Sequence, residues 1–450
     1  FEIFESFDEA GREELMSTVD ELLMADGVAH PAEVAFRAEL AALLEADLGV
    51  ELVETGTRPP VNVTEAVRRA AAEITHPFFS RFEDNYSADR ETLLRQIDTD
   101  VELLELTLSL FEEQRSRGAG KLAGVRQMGE LAGQEPFLDG HVHVVPAQPG
   151  VSFDLTVLGD LHGCYSCLKA AVMQSRFFEK VDAFRRDPVS NPNPKLILLG
   201  DYIDRGIFSL NGVLRAAMQL QNTAPGHVYM LRGNHENYFE YKGEIYGGVK
   251  PAEAIATLKP YVPVDILRNY IRLFDSMPQM LLLDGILFVH GGIPRDLTIK
   301  KVWKDLSSLN HDDVRFQMMW SDPSTADVIP VEMQEQSARF PFGRLQAAAF
   351  LQRIGCHTLV RGHEKIDAGF DRTYDDENVV LLTLFSAGGK DNSDLPPDSG
   401  YRKVTPMALT VTVQGGAIGV EPWAIEYQAY NSPEYNRFYD GTPGIEHRKS

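Results

Sequence analysis

The chain of 450 residues carries 66 acidic side chains against 43 lysines and arginines, a formal net charge of −23. Nucleic-acid binding normally leaves a basic surface, so this balance argues against a nucleic-acid partner. No apolar run approaches the ~18 residues that a membrane-spanning helix needs, so we expect no membrane insertion. The length predicts two or three domains. Because the first residue is Phe1 rather than Met, we expect further residues to precede it in the natural protein.

The three cysteines, Cys164, Cys167 and Cys356, are too few for a disulfide framework. They predict a reducing compartment, and we therefore expect a cytoplasmic protein. Cys164 and Cys167 form a C-x-x-C motif, which is also typical of zinc and redox sites. Since no second cysteine pair is present, we interpret this motif as part of the core.

The front of the chain is acidic and has helical periodicity. Residues 1–140 hold 30 Asp and Glu against 12 Lys and Arg. A stripe of apolar residues at alternating spacings of three and four predicts a helix in an intramolecular antiparallel bundle, rather than an oligomeric coiled coil. We therefore predict an acidic all-α domain over residues 1–140, with a regulatory or docking role. The stripe consists of Leu94, Ile97, Val101, Leu104, Leu108 and Phe111.

From residue 141 the pattern changes to short apolar runs that alternate with helical stretches, which is typical of an α/β domain. We predict this catalytic domain over residues 141–425 and a tail over residues 426–450. Residues 237–280 are interpreted as a largely helical wall of a substrate cleft. The predicted strands have the sequences "FDLTVL", "KLILLG", "HVYML", "GILFVH", "HTLVRG" and "VVLLTLF".

Five of these strands end in loops that carry Asp, Asn, His or Arg beside glycine. Loops at strand ends converge on one crevice in α/β sheets, so we expect these side chains to meet. Carboxylates, imidazoles and one amide suit manganese, iron or zinc better than calcium. They are too many for one ion, and a bridging carboxylate lets two ions sit about 3.5–4 Å apart, as in phosphate-ester hydrolysis. The loops are "GDLHGCY" (159–165), "GDYIDRG" (200–206), "RGNHE" (232–236), "HGG" (290–292) and "RGHE" (361–364).

Arginines accompany these loops, and they suggest either phosphate clamps or structural supports. Arg205, Arg232 and Arg361 each lie within or beside one of the motifs. Their guanidinium groups match the geometry of phosphate oxygens. Together with the metal-ligand pattern, they point to a phosphate ester as the substrate.

In this order, the five loops resemble the motifs of the PPP-type metallophosphoesterases, which include the protein serine/threonine phosphatases. The stretches "LFDSMPQMLLLDGILFVHGGIPRDL" (273–297), "WSDP" (320–323) and "LFSA" (384–387) are also similar to those phosphatases, whereas the Cys-Tyr after "GDLHG" is more like bacterial members. The resemblance covers residues 150–415. It implies a calcineurin-like αββα sandwich of two mixed sheets flanked by helices, here preceded by the all-α domain.

The resemblance also implies roles for individual residues. Asp204 would orient His235 as the general acid, and a hydroxide that bridges the metals would attack phosphorus in line, without a phosphoenzyme. "SAGGKDN" (386–392) replaces the family's "SAPNY" loop, so the aromatic side chain that overhangs the cleft is absent from that position. The implied ligands of the first metal are Asp160 and His162, the bridging ligand is Asp201, and those of the second metal are Asn234, His290 and His363. The implied phosphate-binding residues are Arg205, Asn234 and a second arginine, for which Arg339 fits the spacing better than Arg344.

The function implied is that of a metal-dependent phosphoprotein phosphatase, specific for phosphoserine and phosphothreonine or also active on phosphotyrosine. Two divalent ions are expected, manganese first, with iron and zinc as alternatives. The expected partner is a phosphorylated protein or peptide, with a further protein partner for the helical domain. Two other hypotheses stay open: a hydrolase of dinucleoside polyphosphates or other small phosphate esters, and an inert phosphatase-like scaffold.

Overall fold

Two mixed β-sheets stack face to face in the computed structural model, which describes residues 75–441 and 444–447. The helices predicted before residue 75 lie outside the described residues. The larger sheet consists, in spatial order, of β1 (Phe137–Asp139), β2 (Val142–Val145), β8 (Met280–Leu283), β9 (Ile286–Val289), β12 (Thr358–Arg361), β14 (Val380–Leu384) and β13 (Phe370–Asp375). The smaller sheet consists of β16 (Ala417–Ala424), β15 (Met407–Gln414), β3 (Phe153–Leu158), β4 (Asn193–Leu198) and β5 (Val228–Met230).

Helices cover the outer faces of both sheets, and a separate apolar layer fills the space between the sheets. Val157 and Leu409 of the smaller sheet and Phe288 and Leu382 of the larger one belong to that inner layer, and all four are fully buried. This arrangement confirms the predicted αββα sandwich. The helices are α1 (Arg90–Gly118), α2 (Tyr165–Gln174), α3 (Phe177–Arg186), α4 (Arg215–Thr223), α5 (Glu253–Leu258), α6 (Val264–Ser276), α7 (Asp296–Val302), α8 (Asp312–Met318), α9 (Val331–Gln334) and α10 (Arg344–Ile354).

Within each sheet, the strands that precede the five motifs are parallel to one another. In the smaller sheet β3 pairs with β4 and β4 with β5, and in the larger sheet β9 pairs with β12, all in parallel. Their carboxyl ends therefore lie along one edge of each sheet. A parallel bridge between Asp160 and Phe385 joins the two sheets at that edge. The predicted strands are confirmed, and their parallel register gathers the motif loops.

The segment after the "RGNHE" motif differs from its predicted helical structure. It begins with a hairpin of β6 (Tyr238–Tyr241) and β7 (Glu244–Gly247), and only then continues into α5 and α6. Tyr, Phe and Ile favour strands, and Gly243 at φ 78° forms the hairpin turn. A further pair of two-residue strands, β10 (Asp322–Pro323) and β11 (Pro341–Phe342), lies in the connection between α8 and α10.

Helix α1 packs against α4 and α6 of the α/β part of the chain. Leu93, Ile97, Leu104 and Phe111 are buried in the same core as the helices on the smaller sheet. Of the predicted stripe, Ile97, Leu104 and Phe111 are thus buried against the α/β region, whereas Leu94, Val101 and Leu108 are only partly buried. The predicted all-α bundle stays a prediction. Phe438 and Ile445 of the predicted tail are buried in that core as well. The domain boundaries at residues 140 and 425 stay predictions.

Two smaller findings concern the cysteines and membranes. Cys164, Cys167 and Cys356 are buried, unpaired thiols. Asn392 donates a hydrogen bond to the Cys167 sulfur over 3.4 Å, which favours the interpretation of the C-x-x-C motif as part of the core. Among the described helices, none is both long and apolar enough to cross a membrane.

The packing of α1 gives a first prediction. Replacing Leu104, which is fully buried, by alanine should lower the free energy of unfolding by about 3 kcal/mol, because the cavity left behind adds to the lost burial. Urea denaturation measures this change. The matched control is Leu106→Ala in the same helix, where the side chain is 56% exposed and the loss should be small. Equal losses at the two positions would contradict the described packing of α1.

Candidate metal centre

The predicted loops converge on a cavity of about 430 Å³ at the carboxyl edge of the strands. His290 is fully buried and lies behind this cavity, in contact with the residues that line it. The structure therefore brings together side chains that are up to 203 positions apart in the sequence. The predicted residues that line the cavity are Asp160, His162, Asp201, Arg205, Asn234, His235, Arg339 and His363.

Asp201 occupies the centre of the cluster. Its Oδ2 lies 3.4 Å from His162 Nε2, and its Oδ1 lies 3.4 Å from His290 Nε2. Asp160 approaches the same two rings, at 3.8 Å from His162 Nε2 and 3.9 Å from His290 Nδ1. These separations are longer than normal hydrogen bonds. They are compatible with ligand atoms that face a shared cation.

Backbone carbonyls determine which ring nitrogens of His162 and His290 face the centre. His162 Nδ1 lies 2.9 Å from the Ile203 oxygen, and His290 Nδ1 lies 3.1 Å from the Leu199 oxygen. The nitrogen that faces a carbonyl carries the hydrogen, so Nε2 of each neutral ring directs its lone pair toward Asp201. Burial lowers the pKa of both imidazoles well below their usual value, which keeps them neutral. A cation between the two groups would make the approach of these lone pairs to a carboxylate favourable.

Asn234 and His363 complete the donor set. The Asn234 Oδ1 lies 2.9 Å from His290 Nε2 and 3.2 Å from His363 Nδ1. This amide oxygen faces acceptors; a rotated amide would instead donate to His290, His363 and Asp201. His363 Nε2 is buried and has no hydrogen-bond partner among the described residues. Carboxylates, neutral imidazoles and one side-chain amide gathered at one point fit a centre for divalent cations.

The pKa values of the two carboxylates, Asp160 and Asp201, are raised, as expected for acidic groups buried together. Burial raises the pKa of Asp160 to about 7. Burial, followed by the neighbouring charges of Asp160 and Glu236, raises the pKa of Asp201 well above its usual value. Two carboxylates in one buried site oppose each other's ionisation, and positive charge between them removes that cost.

Several site residues have backbone conformations that side chains rarely adopt. A positive φ in a residue other than glycine costs of order 1–3 kcal/mol and is concentrated at functional sites. Here it turns the chain sharply after β3, β4 and β12, where side chains of the loops line the cavity. The residues concerned are His162 (φ 41°), Asp201 (53°), Asp204 (68°), Arg205 (69°) and His363 (71°).

Two motif glycines give the carboxylates room. A Cβ atom at Gly233 would lie 2.2 Å from Asp201 Oδ1, and one at Gly362 would lie 2.3 Å from Asp160 Oδ1. Any larger residue at either position would displace a predicted ligand. The motifs "RGNHE" and "RGHE" therefore require glycine at these positions, because a carboxylate lies directly against each glycine backbone.

His235 and Asp204 form a hydrogen-bonded pair beside the cluster. His235 Nδ1 lies 2.8 Å from Asp204 Oδ2, and the other carboxylate oxygen accepts hydrogen bonds from the Ala254 amide and the Tyr238 hydroxyl. These contacts fix the ring orientation. Burial, and then the positive charge of Arg205, lowers the pKa of His235 to about 3.

Comparison with known proteins identifies the domain. The family model of the calcineurin-like phosphoesterases matches residues 153–367, the span that holds all five motifs. The chain contains a calcineurin-like phosphoesterase domain.

Curated relatives of this phosphoesterase domain are protein phosphatases. The chain is 29% identical over 249 residues to the serine/threonine-protein phosphatase 6 catalytic subunit of Caenorhabditis elegans, which corresponds to 54% of this chain and 66% of that protein. It is 27% identical over 241 residues to serine/threonine-protein phosphatase PP1-1 of Saccharomyces cerevisiae, 53% of this chain and 70% of that protein. The chain thus spans slightly less than two thirds of the first of these relatives.

Solved structures of phosphatases are also similar. A serine/threonine phosphatase from Saccharomyces cerevisiae, described as similar to human phosphatase PP5, aligns with 73% of this chain and 90% of its own, at 18% identity and a TM-score of 0.43. A cold-active protein-tyrosine phosphatase of a psychrophilic Shewanella species aligns with 64% of this chain and 82% of its own, at 16% identity and a TM-score of 0.36.

Two arginines of the phosphoesterase domain line the cavity. Arg205 lies 3.4 Å from a carboxylate oxygen of Glu253, and Arg339 pairs with Asp322 while its side chain is 52% exposed. Arg344, the weaker of the two candidates for a second phosphate arginine, is not among the residues that line the cavity, and pairs with Asp327 and Asp376. The geometry therefore favours Arg339.

The other two motif arginines serve as supports. Arg232 donates to the Glu236 carbonyl at 2.9 Å and pairs with Asp275. Arg361 is fully buried and forms an ion pair with Asp322 at 2.7 Å. The same Asp322 carboxylate also pairs with Arg339.

Sequence reasoning missed an aromatic residue at the cavity of the phosphoesterase domain. Tyr401 lines it, with its ring 5.2 Å from that of His162 and 5.2 Å from that of Phe385. Tyr401 lies after the "SAGGKDN" segment, which has no aromatic residue where the resembled family's "SAPNY" loop has one. In this chain, a residue later in the sequence supplies the aromatic ring. Two further lining residues were also missed, although the sequence offered a signal for each. Trp320 is the first residue of "WSDP", and Lys365 directly follows "RGHE".

The donor set predicts that manganese binding stabilises the folded protein. At a hundredfold excess over the dissociation constant, a cation that binds only the native state adds about 2.7 kcal/mol, so the melting temperature should rise and a chelator should reverse the rise. Asp201→Asn should abolish this shift because it removes the central carboxylate. The control is Asp371→Asn on the exposed face of β13, which should retain the shift. A manganese shift that survives in Asp201→Asn would contradict the site.

Proposed function

We propose that the chain is a metal-dependent phosphomonoesterase that hydrolyses phosphoproteins. The observation that carries this proposal is one cavity in which a buried carboxylate–imidazole cluster faces two arginines, Arg205 and Arg339. The cluster fits two divalent cations, for which we propose manganese, with iron and zinc as alternatives. Bound there, the cations would acidify a water molecule and neutralise phosphoryl oxygens. Asp160, His162, Asp201, Asn234, His290 and His363 are the proposed ligands.

The arginines are proposed to bind and orient the phosphoryl group. Arg339 reaches the cavity from the connection between α9 and β11, and Arg205 reaches it from the loop after β4. Guanidinium groups bind phosphate oxygens bidentately, so two of them would fix the phosphorus in line with the attacking and leaving oxygens. Asn234 would add its amide to the phosphate contacts. Asp322 and Glu253 hold the two guanidinium groups near the cavity by ion pairs.

His235 is the proposed proton donor to the leaving oxygen. Asp204 accepts from Nδ1, which turns Nε2 away from Asp204 and toward the cavity. A phosphate ester bound beside the ring brings negative charge, which raises the pKa of the imidazole and favours the protonated form. The pair therefore holds a proton where an alkoxide leaving group needs one.

The similarity to two serine/threonine-protein phosphatases supports a phosphoprotein as the substrate. Hydrolysis of dinucleoside polyphosphates or other small esters is the second candidate, because the same catalytic groups serve it. The inert-scaffold hypothesis is disfavoured because every ligand position is filled and the side chains converge. We also propose a cytoplasmic location, which the unpaired thiols support, and a protein partner for the acidic N-terminal region.

Hydrolysis of p-nitrophenyl phosphate with manganese tests the proposed activity. We expect turnover that a chelator abolishes and that Asp201→Asn lacks almost completely, with Asp371→Asn as the active control. Comparison of kcat/KM for a phosphoserine peptide and for diadenosine tetraphosphate then tests the substrate class, and a clear preference for the latter would overturn our choice. Metal-independent turnover would contradict the mechanism.

The role of His235 predicts a dependence on the leaving group. His235→Gln should lower kcat about 10²–10⁴-fold for a phosphoserine peptide, because its alkoxide requires a proton. The loss should be much smaller for p-nitrophenyl phosphate, whose leaving group departs unprotonated. Steady-state rates on both substrates measure the difference. Equal losses on the two substrates would assign His235 a structural role instead.

A further inference from the structure

A second cavity of about 300 Å³ adjoins the metal centre. Arg205 lines both cavities, so the second begins where the phosphate is proposed to bind. Much of its wall is apolar and rigid, which suits an aliphatic chain. The apolar part of this wall consists of Ile207, Leu210, Leu258, Pro396 and Pro397.

Three buried polar atoms in this wall have no hydrogen-bond partner among the described residues. They are Glu253 Oε2, Glu446 Oε2 and His447 Nε2. Leaving such an atom buried and unpaired costs about 1–3 kcal/mol, and more when the group is charged. The two carboxylate oxygens point to an occupant that supplies hydrogen-bond donors, and His447 Nε2 can donate or accept according to its tautomer.

The protein fixes Glu446 in position while leaving one of its oxygens available. Asn211, which is 1% exposed, donates from Nδ2 to Glu446 Oε1 over 2.9 Å, and the Tyr86 amide donates to the same oxygen over 3.3 Å. Oε2 thus remains for another donor. Burial raises the pKa of Glu446 to about 7 and also raises the pKa of Glu253. A bound cation would offset that cost of ionisation.

The chemistry of the walls selects the class of occupant. An anion would be repelled by two carboxylates, and a purely apolar group would leave their oxygens unpaired. A basic side chain meets both demands, because its methylene stem packs on leucine and proline while its cationic head donates to carboxylate. Burial lowers the pKa of His447, which keeps this ring neutral beside such a cation.

We propose that this cavity binds an arginine or lysine side chain that lies close in sequence to the phosphorylated residue of the substrate. We call the site, lined by Glu253, Glu446, Asn211, Leu210 and Leu258, the basic-residue subsite. The proposal rests on the proposed phosphoprotein phosphatase activity and specifies its substrate class. When phosphate draws Arg205 into the active-site cavity, Glu253 loses its present partner and becomes available to the incoming cation.

Part of the subsite belongs to segments outside the matched family domain. Tyr86 precedes residues 153–367, and Pro396, Pro397, Glu446 and His447 follow them. The subsite is therefore a property of this chain's additional segments, which wrap around the phosphoesterase domain.

Matched phosphoserine peptides test the subsite. Arginine is scanned through the three residues on either side of phosphoserine, and citrulline, its uncharged isostere, replaces it in the control peptides. We expect at least one position at which arginine raises kcat/KM about tenfold over citrulline, as a charge-assisted hydrogen bond implies. Glu446→Gln should reduce that ratio to near one. Glu421→Gln on the exposed edge strand β16 makes the same charge change elsewhere and should retain the ratio.

The outcomes separate this inference from the proposed function. The subsite proposal is wrong if the wild-type protein dephosphorylates the arginine and citrulline peptides equally at every position, or if Glu446→Gln retains the preference for arginine. In either case the proposed phosphatase activity is unaffected. Fluorescence anisotropy of the same peptides measures binding without turnover. If neither the peptides nor p-nitrophenyl phosphate is hydrolysed with manganese, the proposed function fails. An arginine preference in binding would then still support the subsite, and its absence would overturn it.

Discussion

The site depends on one electrostatic constraint: Asp160 and Asp201 are buried together, facing imidazole lone pairs. Among the described residues, no lysine or arginine forms an ion pair with either carboxylate. Their ring neighbours are His162 and His290, whose hydrogens are directed to backbone carbonyls. The folded chain therefore concentrates acceptors at one point. Divalent cations would offset the negative charge gathered at this point, and the proposed phosphate chemistry would follow from their charge.

The fold satisfies this constraint with parallel strands and strained turns. Parallel strands deliver their carboxyl ends to one edge, and the bridge between Asp160 and Phe385 brings the edges of the two sheets together. Residues with a left-handed backbone conformation, such as His162 and Asp201, turn the chain within one or two positions. Gly233 and Gly362 have no Cβ atom, which leaves room for the carboxylates. The apolar layer between the sheets stabilises the fold against this local strain.

Arg205 lines both the cavity of the candidate metal centre and the second cavity, and it forms an ion pair with Glu253, which lines the second cavity. The segments that build the second cavity are held by the core itself. Helix α1 and the buried residues Phe438 and Ile445 pack on the same side of the smaller sheet. The extra segments therefore line the second cavity and also contribute to the apolar core.

The strands and the ligand loops could be predicted from the sequence because their signals are local. An apolar run followed within a few residues by Gly, Asp or His predicts both the strand and the place where its loop turns. The hairpin at 238–247 was misinterpreted as helical because its tyrosines occur in helices as well as strands, and the turn at Gly243 is the local signal that favours a hairpin.

By itself, the sequence determined the α/β class, the order of the motif loops and the chemical character of the ligand set, and its resemblance to the PPP-type metallophosphoesterases predicted the αββα sandwich. Only the tertiary structure decided that Arg339 rather than Arg344 lines the cavity of the candidate metal centre, and that Tyr401 supplies the aromatic ring there. It also decided that Glu446, near the end of the chain, lines the second cavity together with Arg205. The physical reason is that these side chains lie on long connections. Their positions follow from how distant segments pack against one another, and no residue periodicity encodes that packing.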